Sequence, residues 1–177
     1  GCMCINGALG LARNCLVGWN AAWTNWGDGL SLVAGTLSVE NCTVANNSGQ
    51  GIYRLAGNAA VANSIVWGNG DDLFGATMAV RYSDIQTIDS FWVNGVNGCV
   101  SFNPLFADST TFHLQSRQGC YTNGYFSGGG WTGWDPFATN SPAIDAGDPS
   151  AACTNEPIPN GGRANLGAYG NTAVASL

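Results

Sequence analysis

Lysine is missing altogether from the 177 residues, and all five basic side chains are arginine. Charge of any kind is scarce, at 9% of positions, yet the formal net charge is −6. A chain this poor in cations lacks the Lys/Arg excess that releases counterions from a phosphate backbone, which argues against nucleic acid as a partner. It excludes a polybasic membrane patch for the same reason. Long hydrophobic runs are also missing; none approaches the roughly 20 residues of a membrane span, so no membrane insertion is expected. Histidine occurs once, at His113, and Cys2-Met3-Cys4 is too tight for the usual zinc knuckle. There is no EF-hand spacing, phosphate loop or nucleophile elbow.

What the chain does contain is 26 Gly, 19 Asn and 7 Trp, with 45% hydrophobic and 11% aromatic content. That much apolar surface argues against disorder, and the length suits one domain with a real core. A start at Gly1, without initiator Met or signal peptide, reads as a processed or excised piece. Abundant Gly and Asn call for a fold that turns many corners.

An internal repeat supplies those corners. Ala12–Asn20, Val39–Asn47 and Val61–Asn69 align on Asn14, Asn41 and Asn63, and a fourth segment, Val80–Gln86, aligns on Tyr82. The steps are 27, 22 and 19 residues. No segment keeps a 3.6-residue period, whereas short β-branched runs cut by Gly and Asn read as strands and corners. A period near 22 with three short strands per turn predicts a parallel β-helix whose coils stack at about 4.8 Å. Asn14, Asn41 and Asn63 then share one corner, because Asn tolerates left-handed backbone. Cys15, Cys42, Ser64 and Ser83 form an inward stack of small side chains, and Val17, Val44, Val66 and Ile85 an aliphatic one. A one-residue slip would turn both stacks outward, so the register is well specified.

Asn63–Asn69, Tyr82–Gln86 and the N-C/S-x-V strand pattern resemble right-handed parallel β-helix proteins of the pectate-lyase-like superfamily. Phe102–Asp108, Phe112–Gln115, Ser141–Pro149 and Pro159–Gly170 resemble the C-terminal end of large bacterial surface and secreted β-helix proteins. The resemblance implies an all-β fold, a right-handed parallel β-helix (a single-stranded β-solenoid), and an extracellular or cell-surface location. It implies little about activity, since that superfamily holds lyases, hydrolases, adhesins and plain coils. Coils are expected over residues 1–98. Residues 99–177 lose the repeat and gain Pro, Gly and aromatics, as an irregular, loop-rich cap of the same domain would.

Candidate chemistry is thin. Asp145, Asp148 and Arg163 have few other charged neighbours in sequence and are expected to meet, a guanidinium bridging two cap loops. Asp28, Asp71, Asp72, Asp84 and Asp89 are the coil acids; Asp84 should point outward, with Arg81 on the same strand. Positions equivalent to Asp84 are Leu16, Thr43 and Ile65, so no column of carboxylates repeats. Asp71 and Asp72, on a Gly loop, offer the best oxygen ligands for calcium; no other cofactor is called for. His113, in an apolar stretch, reads as structural. Trp19, Trp23 and Trp26 in one loop, and Trp131 and Trp134 in another, are candidates for stacking on glycans. Cys99, Cys120 and Cys153 fall in loop-rich sequence, where at least one disulfide is expected, with Cys15 and Cys42 buried as thiols.

The expectation is therefore a non-catalytic extracellular structural or adhesive β-helix, a stalk or filament subunit. Its first coil would meet either another copy, head to tail, or the N-terminal coils of a larger protein. The alternative is a carbohydrate-active domain, a lyase or hydrolase fragment or a glycan-binding module. About four coils span roughly 20 Å, which is short for a polymer cleft.

Overall fold

The computed structural model describes residues 3–21, 27–87, 92, 94–122, 125–126, 134–135 and 137–177, with backbone alone at 3–5, 122, 125–126 and 134–135. Thirteen strands are found among these residues, and no helix. Ten of them are parallel strands of two sheets, the larger of which is curled. The larger sheet holds β1 (Met3–Arg13), β3 (Leu30–Glu40), β5 (Gln50–Arg54), β6 (Asn58–Ala62), β8 (Asp71–Gly75) and β9 (Ala79–Arg81). The smaller has the order β10 (Asp84–Ile85), β7 (Ile65–Trp67), β4 (Thr43–Ala45), β2 (Leu16–Gly18). The arrangement is all-β and compatible with a solenoid.

Period-2 alternation explains the strands. In β3 the long strand bends: Leu30–Leu32 pair with Ile52–Arg54, and Thr36–Glu40 pair with Asn58–Ala62. Gly35 lies in the bend with φ 104, and Gly57 lies between β5 and β6 with φ 79. Inward from the strands, Leu30, Leu32, Leu37, Val39, Val44, Ile52, Val61, Val66, Leu73 and Ile85 are buried in one cluster. Each fully buried aliphatic side chain contributes about 1.5–3 kcal/mol before the entropy of ordering is subtracted. Trp92 joins the same cluster below the last coil and donates its indole N–H to Thr87 O at 3.0 Å.

Val100 continues the smaller sheet through an isolated parallel bridge to Asp84. The segments that follow pack along the outer face of that sheet. Leu114, Ala143 and Leu166 bury Ile65 there, with Trp67, Val100, Phe106, Ile144 and Ala146 at the margin. Gly167 N donates to Asn63 O at 2.9 Å, and Ala168 N to the Thr43 hydroxyl at 3.0 Å. The C-terminal half therefore lies against a flank of the coils. It also contains a small antiparallel sheet of β11 (Cys120–Thr122), β12 (Tyr125–Phe126) and β13 (Trp134–Asp135).

The expected disulfide among Cys99, Cys120 and Cys153 does not form, because Cys99 and Cys153 both carry free thiols. Cys99 is committed instead to the column that continues Ser83, next to the Val100 N–Ser83 O bond.

Candidate functional site

The repeat corner sets the geometry. Asn14, Asn41, Asn63 and Tyr82 have φ of 50, 47, 50 and 42, the left-handed region in which Asn is tolerated and Tyr is uncommon. Immediately after it runs a ladder of small polar side chains. Cys15, Cys42 and Ser64 each bond the carbonyl two residues back, at 3.2, 3.2 and 2.8 Å, and Ser83 does the same at 2.9 Å. The hydroxyls also accept from the coil before: Cys42 N donates to Ser64 Oγ at 3.1 Å, and Ser64 N to Ser83 Oγ at 3.3 Å. Backbone rungs at 2.9–3.0 Å continue from Ser83 O to Val100 N, which places Cys99 as a fifth member. Burial pushes the Cys42 thiol up to about 12 and raises that of Cys99, so both are poor nucleophiles. Val17, Val44, Val66 and Ile85 stack two positions further on, all buried.

A second ladder lies six residues after the first corner. Asn20 Nδ2 donates to Asn47 Oδ1 at 2.8 Å, and Asn47 Nδ2 to Asn69 Oδ1 at 2.7 Å. Asn69 Nδ2 then donates to Asp72 Oδ1 at 2.8 Å, and Thr87 N to Asp72 Oδ2, also at 2.8 Å. Sequence reading missed this ladder, although its signal is plain: Asn20, Asn47 and Asn69 each follow Asn14, Asn41 and Asn63 by six residues. Asp72 thereby ends a chain of amides with both carboxylate oxygens occupied and the residue fully buried. Asp71 beside it has its pKa raised by burial, and its Oδ1 has no partner. Among the described residues no group of three or more His, Cys, Asp or Glu converges as a metal site.

Asp28 and Glu156 are held by backbone and hydroxyl donors. Asp28 Oδ2 accepts from Ser48 Oγ and Gly49 N, both at 2.6 Å. Glu156 accepts the amides of Asn165 and Asn171 at 2.8 and 2.7 Å. Asp84, expected to face solvent, is fully buried. The C-terminal segments cover its sheet, only Phe102 N reaches its Oδ1, and burial pushes its pKa up to about 7. Asp89 lies outside the described residues. His113 is sandwiched near Tyr169 and Tyr121, at 3.6 and 5.2 Å between ring centroids. Burial lowers its pKa to about 4, and its Nδ1 is unpartnered.

Arg163 joins the two cap loops as expected, but through carbonyls rather than the carboxylates of Asp145 and Asp148. Asp148 pairs instead with Arg81 at 2.6 Å, and Arg163 donates to the carbonyls of Gly147 and Ala146 at 2.7 and 2.8 Å. Asp145 accepts from Gly161 N at 2.9 Å. Arg163 is thus a loop clasp, since a guanidinium fork matches carbonyl oxygens as well as carboxylates. Arg163→Ala should cost about 1–3 kcal/mol by stripping charged donors from those carbonyls; unchanged thermal unfolding would remove the clasp.

Of the tryptophans, Trp19 is 62% exposed, with its indole N–H on Ser109 O at 2.8 Å. Trp23, Trp26 and Trp131 lie outside the described residues, and for Trp134 the backbone alone is described, in β13.

These elements enclose one polar groove of about 430 Å³ at the first corner. Its floor is Asn41, Ala62 and Asn63; Arg13 and Glu40 stand at one end, Arg81 and Asp148 at the other, and Ser150–Ala152 form a wall. Arg13 pairs with Glu40 at 2.7 Å, and that hydrogen bond holds the Glu40 carboxyl below the usual range. The Ser150 hydroxyl and amide do the same for Asp148. No family, curated protein or solved structure matches the chain.

Proposed function

We propose that the chain is a stretch of right-handed parallel β-helix of the pectate-lyase-like kind. It serves outside the cell as a structural or adhesive scaffold without catalysis of its own. One observation carries the reading: the polar side chains of the two ladders are spent on neighbouring repeats. Ser64, Ser83, Asn47, Asn69 and Asp72 bond rung to rung, and Asp28 bonds the next turn. Catalytic acids and bases need unspent lone pairs facing a reactant; these face other rungs. The ladder thiols are compatible with an oxidising location, because Cys42, deeply buried with its pKa pushed up to about 12, is chemically quiet in any compartment.

The partner surface in this reading is the free edge of β1, which pairs with β3 alone among the described residues. An unpaired strand edge is a template for a further coil, supplied by a second copy or by more of a longer protein. Light scattering and negative-stain electron microscopy test the first case: end-to-end particles are expected, and a strictly monomeric population would sink the filament form. Uronic-acid polymers incubated with the protein, with and without calcium, should show no gain in ultraviolet absorbance. A lyase signal would overturn the non-catalytic reading. A glycan-binding role is favoured by one feature, the exposed Trp19 ring; binding on a glycan array lost in Trp19→Ala is its test.

A further inference from the structure

The groove at the asparagine corner is lined by two ion pairs, one joining β1 to β3 and one joining β9 to the C-terminal segment. Register places Arg13 beside Glu40, Glu40 beside Ala62, and Ala62 beside Arg81, so the four form one outward column across β1, β3, β6 and β9. Adjacent rungs are about 4.8 Å apart, which sets Glu40 and Arg81 about 10 Å apart at the backbone. Between them stands only the Ala62 methyl. A negative and a positive side chain thus flank a pit on the same sheet face.

The walls complete the pattern. Asn14 and Asn63 are spent on the C-terminal flank: Asn14 Nδ2 donates to Ala168 O and Gly170 O at 2.9 Å, and Asn63 Oδ1 accepts from Asp148 N at 2.7 Å. Asn41, the rung between them, lines the groove; its side-chain nitrogen packs against Gly170, and the amide makes no hydrogen bond among the described residues. Arg81 gives one of its five N–H donors to Asp148 and is 58% exposed. Glu40 Oε2 accepts two bonds from Arg13, at 3.0 and 2.7 Å, and Oε1 accepts one from Ser38 at 3.0 Å, which leaves about one of a carboxylate's four lone-pair positions, on Oε1. Ala151 and Ala152 add apolar surface opposite.

The sum of charge selects the ligand. Arg13, Arg81, Glu40 and Asp148 cancel, and the protein as a whole carries −6. A polyanion is repelled by that total, and a simple cation or anion matches only one end of the pit. A molecule carrying both charges a few ångströms apart matches both. We propose that the groove binds a small zwitterion of the α-amino-acid type. Its carboxylate lies on Arg81 and the Asn41 amide, its ammonium lies on Glu40, and its side chain lies toward Ala151 and Ala152.

The test is an NMR titration of ¹⁵N-labelled protein, following the amides of Asn41, Ala62 and Ala151. Glycine and L-alanine are compared with N-acetylglycine, glycinamide and methyl glucoside, which carry the carboxylate alone, the ammonium alone and neither. Zwitterions should shift these amides, with each single-charge analogue weaker by about tenfold or more, the factor expected for one lost charge-assisted contact. Glu40→Gln, nearly isosteric, should weaken glycine by a similar factor and bring it level with N-acetylglycine. Equal binding of N-acetylglycine and glycine would make this a simple anion site and overturn the proposal. So would a response to methyl glucoside alone, or no shift with any probe at 100-fold the protein concentration. None of these outcomes bears on whether the coils form filaments, so the two proposals stand or fall separately.

Discussion

Asp84→Asn should leave the protein more stable than the wild type at pH 8 by about 3–4 kcal/mol, and no more stable at pH 3. The carboxyl of Asp84 is fully buried, has one donor, Phe102 N, and leaves Oδ2 without a partner. Burial disfavours its charged form, so the folded protein keeps the proton up to about pH 7, whereas the unfolded chain releases it near 3.8. Between those values the folded state binds more protons, and stability falls as pH rises. The contribution is whole below about pH 4 and gone above about pH 7, at about 1.4 kcal/mol per pH unit. His113 works in the opposite direction. Buried neutral with its pKa lowered to about 4, it favours the folded state above 6.5 and withdraws that support as pH falls. The two slopes offset each other in the wild type between about pH 4 and 6.5. Over that interval, stability measured by denaturant unfolding should therefore climb more steeply with pH in Asp84→Asn than in the wild type. Parallel profiles for the two proteins would mean that Asp84 is ionised in the fold.

The second large effect concerns one glycine. Gly57→Ala should cost about 3 kcal/mol or more, and Gly162→Ala only about 1 kcal/mol, although their φ values, 79 and 80, are nearly the same. A Cβ at Gly57 would overlap the carbonyl oxygen and nitrogen of Gly35 in the coil before, backbone atoms that cannot swing aside. A Cβ at Gly162 meets nothing within 4 Å. The pair separates the cost of a left-handed conformation from that of stacking one bend on another. Equal losses in urea unfolding would mean that the bend tolerates a side chain. Gly57 also holds a guanidinium of the same turn through its carbonyl, which accepts from Arg54.

The register of the parallel strands was legible because it is written in residues with few alternatives. Asn at 14, 41 and 63 marks positions needing positive φ, and the Cys/Ser and Val/Ile columns follow by simple alternation. Cys99 was misread because the fourth step shrinks to 16 residues and the corner residue becomes Gly98, with φ 71, so the Asn–Cys signature is lost. The groove was not legible at all. Its ion pair between Arg81 and Asp148 joins residues 67 apart, and the contact of Asn14 with Gly170 spans 156. No local pattern encodes a contact between a repeat and the irregular segment folded back on it. Asp84 failed for the same reason: alternation placed it on an outer face without revealing that the chain returns to cover that face.

The two ladders have a consequence for how such a chain can change length. From Asn14 to Asn20, Asn41 to Asn47 and Asn63 to Asn69 the interval stays at six residues, while these three repeats shorten from 27 to 22 to 19. All the variation falls in the remaining arc, which runs through the larger sheet and its bends. A residue inserted between the strands of that arc, away from the Gly35 and Gly57 bends, lengthens a loop at modest entropic cost. A residue inserted in the six-residue arc throws the side chains of both ladders out of phase, breaking hydrogen bonds in the coils above and below. Indel tolerance should therefore be confined to one side of the molecule, and libraries of loop grafts belong on that arc alone.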